Sequence, residues 1–150
     1  MAGILVGVDG SAHSRRALEW AMSEAAVRRA PLTVLTVNPI AVSTWSGEPI
    51  RSEADDPGRA TARQAVQDEA DQAAGKLTGE ARPASVTVQA VSGNAAEELI
   101  SRSPDADLLV VGSRGAGGFA RLVLGSVSNQ VLHHAHCPVV VIPAEERGQE

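Results

Sequence analysis

Three groups of residues in this sequence have types and spacings suited to chemistry. The first is the stretch Val110 to Ser128, in which Gly112-x2-Gly115-x9-Gly125-Ser126 follows the apolar run Leu108–Val111 and precedes a short helical pattern. A strand, a glycine-rich loop and a helix N-terminus together present backbone N–H groups to an anion, above all a phosphate. Glycines at such a bend let the chain approach the anion closely and take φ > 0 without Cβ strain. The second is Asp9, in Asp9-Gly10-Ser11 at the end of the apolar run Gly3–Val8. It reads equally as a helix cap or as a ligand contact. A phospho-acceptor role is disfavoured, because no second acid stands beside it in the sequence. The third is His133, His134, His136 and Cys137, which are metal-ligand residue types. Adjacent His133 and His134 point in different directions on a helix, and histidines near a helix C-terminus complement its dipole. No metal site is expected there, and Cys137 before Pro138 reads as a small hydrophobe.

Charge favours the anion reading of the glycine stretch. The chain carries 18 acidic and 13 basic residues, yet Leu108 to Pro143 contains no Asp or Glu, while Arg114 and Arg121 fall in the loop. Burial of two strands accounts for part of that gap but not for the polar loop between them. Arg114 reads either as a solvated loop residue or as an anion contact. No P-loop is present, since Gly-Lys-Ser/Thr is absent. Gly115-Ala116-Gly117-Gly118-Phe119-Ala120 matches the G-x-G-x-x-A dinucleotide form, but it follows a fourth strand and lacks the acid about twenty residues later that holds a ribose. Gly112-Ser113-Arg114-Gly115 lacks the nucleophile-elbow spacing, so no catalytic triad is expected.

The rest of the chain must position these residues. Its 150 residues suit one domain over 1–143, followed by a charged tail over 144–150. With one Phe, two Trp and no Tyr, and a net charge of −5, a nucleic-acid surface is not expected. One cysteine excludes an internal disulfide and suits a reducing compartment. No apolar run approaches ~20 residues, and no signal-peptide pattern opens the chain. The cytoplasm is therefore the expected location, without membrane association.

Five apolar runs alternate with helical patterns: Gly3–Val8, Leu32–Val37, Ser85–Val91, Leu108–Val111 and Val139–Ile142. Ala17, Leu18, Ala21, Met22 and Ala25 mark the inner face of a first helix, which Ser11 or Ser14 can cap. Ala62, Ala65, Val66, Ala70, Ala73 and Leu77 mark a second helix over 59–77. Ala96, Leu99 and Ile100 belong to a short third helix, and a fourth runs from about Ser126 to His134. Residues 38–58 show no periodicity, which in a compact domain points to a functional lid or a mobile segment. This alternation predicts an α/β fold, a doubly wound five-stranded parallel sheet with helices on both faces, Rossmann-like. Ligands of such sheets bind at the carboxyl ends of the strands, where strand order reverses. Asp9 and Gly112 would then face one crevice if strands one and four are neighbours. Val139–Ile142, as a short apolar edge strand, would offer unpaired backbone groups to a second copy; the alternative is cover by its own helices and tail.

The spacing G-x2-G-x9-G-[S/T] after the fourth strand resembles the ATP-binding signature of the universal stress protein family. The opening I-L-V-G-V-D-G-S-A-H-S-R-R-A-L-E-W-A is similar to that family's first strand and helix, and G-S-V-S-N-Q-V-L-H-H-A-H-C-P-V-V-V-I-P to its last helix and strand. The resemblance covers about residues 3 to 143. It implies strand order 3-2-1-4-5, ATP between the ends of strands one and four, and a homodimer through Val139, Val140, Val141 and Ile142. By position, it puts Asp9 at the nucleoside, Gly7 on the crevice floor and Val37 at the adenine. Gly112, Arg114, Gly115, Gly125, Ser126, Val127 and Ser128 match the phosphate-binding part. Ser113, Ala116, Gly117 and Gly118 complete the candidate loop. The expected function is that of an ATP-binding regulatory or stress-response protein without fast catalysis, with magnesium as a possible companion ion. The competing readings are a slow ATPase, a phosphoryl or nucleotidyl transferase, and an interaction scaffold that binds no nucleotide.

Overall fold

Apolar, β-branched runs too short for helices line up as five parallel strands in the order β3-β2-β1-β4-β5. They are β1 (Ile4–Val8), β2 (Pro31–Asn38), β3 (Ser85–Ser92), β4 (Leu108–Gly112) and β5 (Val139–Ile142). The helices between them are α1 (Ala12–Arg28), α2 (Pro57–Gly75), α3 (Ala95–Arg102) and α4 (Ser126–His134). The computed structural model describes residues 3–39, 57–113 and 125–143. The central part of the expected 38–58 connection, the loop residues 114–124 and the tail 144–150 lie outside the described residues.

Alternation along the strands divides the core in two. Ile4, Val6 and Val8 of β1 and Leu32 and Val34 of β2 face α1 and α2, joining Leu18, Met22, Val66 and Ala70. Leu5, Leu35, Leu109 and Val111 face the other way, against Leu99 of α3 and Val131 of α4. The two faces are unequally covered. α1 and α2 have 17 and 19 residues, whereas α3 and α4 have 8 and 9.

The expected inner face of α1 is buried at every position: Ala17, Leu18, Ala21, Met22 and Ala25 are all at 0% exposure. Ser11 is its N-cap, accepting the Ser14 N–H at 3.2 Å. At the other end Arg29 takes a left-handed φ of 54° and its N–H closes the last turn, before Pro31 starts β2. α2 differs from its sequence pattern. Val66, Ala70 and Ala73 are buried, but Ala65 is exposed. A residue one position from Val66 lies about 100° round the helix, on the flank of the stripe. Lys76 Nζ reaches Glu19 Oε2 at 2.6 Å, tying the end of α2 to α1. On β3 only Val88 and Ser92 are buried and Val86 is 39% exposed, as befits an edge strand.

Candidate functional site

In this sheet the chain leaves β1 into α1 on one face and leaves β4 into α4 on the other, so β1 and β4 flank the switch point. Backbone pairing between them runs from Ile4–Leu108 only to Val6–Val110. Yet β1 stays paired with β2 through Val8–Thr36, and β4 with β5 through Gly112–Ile142. The two central strands therefore part at their carboxyl ends, and the crevice expected of a doubly wound sheet opens there.

Asp9 stands at the tip of β1. Its N–H donates to Ser14 Oγ at 3.1 Å, and its Oδ1 accepts the Ser11 N–H at 2.9 Å. Gly10 turns the chain at φ 84°, a value favouring glycine. Ser11, not Asp9, caps α1; Asp9 shapes the turn and keeps an exposed carboxylate at the crevice. Gly7 is constrained by packing. A Cβ there would sit 2.9 Å from Leu99 Cδ1, so its hydrogen lets α3 approach the sheet. Val37 is half-buried one residue before the end of β2, level with Val91 of β3.

On the β4 side, Gly112 is the last strand residue and Ser113 begins the loop. The Ser113 N–H donates to the Ile142 carbonyl at 2.9 Å. Its own carbonyl accepts the Gly125 N–H at 2.6 Å and the Ser128 hydroxyl at 3.1 Å. Ser128 Oγ also lies 3.1 Å from the Gly125 carbonyl, and the residue is 2% exposed. Its hydroxyl thus clasps the two ends of the glycine stretch. Arg114, Gly115, Ala116, Gly117 and Gly118 lie outside the described residues.

Gly125 is the N-cap of α4 and brings no capping side chain. Ser126 is exposed, Val127 half-buried, and the first turn holds no acid. The backbone donors of that first turn, with the helix dipole behind them, favour an acceptor or an anion. The structure thus brings Asp9, Gly7, Gly112, Ser113 and Gly125 to Ser128 to the two sides of one crevice, with Val37 at the adjacent strand end. Val139 to Ile142 are elsewhere, at the sheet edge, and all four are half-buried. His133 Nδ1 lies 2.8 Å from the Asn129 carbonyl and its ring is 6.3 Å from that of His134. Among the described residues no three His, Cys, Asp or Glu side chains gather as metal ligands. Burial, and then the charge of Asp107, raises the Cys137 thiol above its ordinary pKa, which disfavours the thiolate form.

The family model described as "Universal stress protein family" matches residues 2–143. The chain belongs to the universal stress protein family. A universal stress protein of Mycolicibacterium smegmatis is 36% identical over 146 residues, covering 97% of this chain and 49% of that protein. The chain spans about half the length of the curated relatives it matches. Among solved structures, the universal stress protein UspA of Lactobacillus plantarum aligns with a TM-score of 0.74 at 25% identity, covering 94% of this chain and 97% of that one. A universal stress protein in complex with cAMP aligns with a TM-score of 0.68 at 26% identity, covering 95% and 96%. The strand order implied by the resemblance, 3-2-1-4-5, is the order found.

This universal stress protein also carries a carboxylate near the crevice that the sequence reading missed. Glu69 of α2 has Oε2 3.9 Å from Arg15 Nη2, while its Oε1 is buried without a hydrogen-bond partner. Desolvation raises its pKa; Arg15 works against that rise and the charge of Asp9 adds to it. Its one sequence signal is its place between Val66 and Ala70 on the buried stripe of α2, where a charge is unusual.

Proposed function

We propose that the crevice binds an adenine nucleotide, ATP in the cell with magnesium as companion ion, and that the protein acts as a regulatory binder rather than a fast catalyst. The observation that carries this reading is the parting of β1 from β4 at the switch point, with Asp9 on one side and, on the other, the first turn of α4, which has no side-chain cap among the described residues. The residues present fit such a ligand. An exposed carboxylate suits hydroxyl or amine donors of a nucleoside, half-buried Val37 an apolar base, and the N–H groups of Ser126, Val127 and Ser128 a phosphate. Arg114 and the glycines from Gly115 to Gly118 would complete the phosphate site, on the sequence pattern alone. The cAMP complex of a relative at 26% identity supports an adenine nucleotide in this fold. A homodimer through β5 and a cytoplasmic location belong to the same proposal.

The decisive experiment is mass spectrometry of the small molecules released from freshly purified native protein, followed by calorimetry with Mg-ATP. ATP or another adenine nucleotide should be recovered and should rebind. Asp9→Asn should weaken binding about tenfold, the order of one lost charge-assisted hydrogen bond. Hydrolysis should stay near background. No heat and no melting shift at millimolar adenine nucleotide would overturn the reading.

A further inference from the structure

Every buried side chain of α1 is apolar except one, that of Ser14, which is 5% exposed. A hydroxyl taken out of water costs stability unless it is hydrogen-bonded. Alanine, found at Ala17, Ala21 and Ala25 on the same face, is also the better helix former. The start of the helix does not call for this hydroxyl either. Ser11 caps α1 by accepting the backbone N–H of Ser14 at 3.2 Å, which any residue but proline could donate. The Ser11 carbonyl already accepts the Arg15 N–H at 3.1 Å.

The hydroxyl reaches back across the turn instead. Ser14 Oγ accepts the Asp9 N–H at 3.1 Å and donates its own proton to the Ser11 carbonyl at 3.2 Å. A hydroxyl has one proton to give and lone pairs to accept with, so it serves both ends of the turn at once. Ser11 completes the ring, its N–H donating to Asp9 Oδ1 at 2.9 Å. Asp9 is thereby held twice, at its main chain by Ser14 and at its carboxylate by Ser11, whose own carbonyl Ser14 holds. With the main chain fixed and one carboxylate oxygen tied, the side chain is ordered before any ligand arrives. A group ordered in advance gives up less freedom on binding.

We propose that Ser14 is a positioning residue of the crevice: without touching the ligand, its hydroxyl sets the Asp9 carboxylate in place for the nucleoside. This assignment rests on the reading of the crevice as an adenine-nucleotide site.

The test is a double-mutant cycle in the full chain, read by calorimetry with Mg-ATP. Ser14→Ala should weaken ATP about fivefold, the order of one lost neutral hydrogen bond. In an Asp9→Ala background the same change should have no effect, because no carboxylate is left to position. A purely structural role in α1 would weaken ATP equally in both backgrounds. With no ligand present, the Asp9 amide should exchange with deuterium at least about fivefold faster in Ser14→Ala than in the wild type. Ser14→Cys nearly keeps the volume and offers only a weak acceptor, so it repeats the cycle should Ser14→Ala fail to fold. Equal losses in the two backgrounds, unchanged ATP affinity in Ser14→Ala, or an Asp9 amide that exchanges as in the wild type would overturn the assignment while leaving the crevice reading intact. A wild-type chain that takes up no adenine nucleotide would overturn the crevice reading, and the assignment with it.

Discussion

The side chain that Gly7 lacks is as informative as any the site contains. A methyl group there would press on Leu99, which is 2% exposed and has little room to yield. Gly7→Ala should cost about 1–3 kcal/mol through overpacking, measured by urea unfolding. Leu99→Ala alone should cost about 2–5 kcal/mol. The double variant should cost less than the sum of the two, because each change relieves the other. Additive losses would show that the contact is not what fixes glycine at this position.

Glu69 makes a prediction of the opposite sign to that of an ordinary salt-bridged acid. Its folded-state pKa lies above the usual 4.5, chiefly through desolvation, despite Arg15 at 3.9 Å. The fold therefore binds a proton more tightly than the unfolded chain does. The charged form costs stability as pH rises from the usual carboxylate value through the raised one, and the cost stays in full above it. Glu69→Gln should accordingly raise the melting temperature at pH 7, with the gain vanishing below pH 4.5. A gain that persists in acid would point to packing instead.

Among the elements, α3 depends most on its cap. It has eight residues, below the length at which helices hold themselves. Asn94 Oδ1 accepts the Glu97 N–H at 3.0 Å, and Glu97 and Glu98 stand in the first turn, where the dipole favours acids. Asn94→Ala should cost about 1 kcal/mol and speed hydrogen exchange across α3 ahead of the sheet. Equal exchange in both proteins would mean that Leu99 alone holds the helix.

The elements also show what a sequence can and cannot reveal. β5 runs over Val139–Ile142 as its bracketing prolines predicted, and α4 begins at Ser126 after Gly125. Those boundaries are written locally, in apolar runs and breakers. Asp9 and Gly112 meeting at one crevice followed from the order of elements, because a doubly wound sheet has few ways to arrange five strands. Glu69 beside Arg15 was not legible, since it depends on how two helices sit on one face of the sheet. Ser128 matched a ligand-binding pattern, yet its buried hydroxyl serves the protein's own backbone.

For the whole molecule, the open question of assembly centres on β5. Among the described residues it pairs only with β4, and its four apolar residues are half-buried. Arg16 Nη1 holds the Pro143 carbonyl at 2.6 Å, which anchors the end of this edge to α1. If a second copy completes the edge, Val141→Lys should shift the protein from dimer to monomer in sedimentation equilibrium, because an edge lysine blocks strand addition. The variant should keep a folded circular-dichroism spectrum. A wild-type protein that sediments as a monomer at micromolar concentrations would remove the homodimer from the proposal.

The clasp between Ser113, Gly125 and Ser128 has a consequence for how such a protein can change. The residues that flank positions 114–124 are joined to one another by hydrogen bonds, so the closure of that stretch does not rest on its own residues alone. Doubling the length of a closed stretch of chain adds only about 0.6 kcal/mol of closure entropy in general. A lineage, or an engineer, could lengthen or recut that insert for a bulkier guest while the scaffold beneath it stayed as it is.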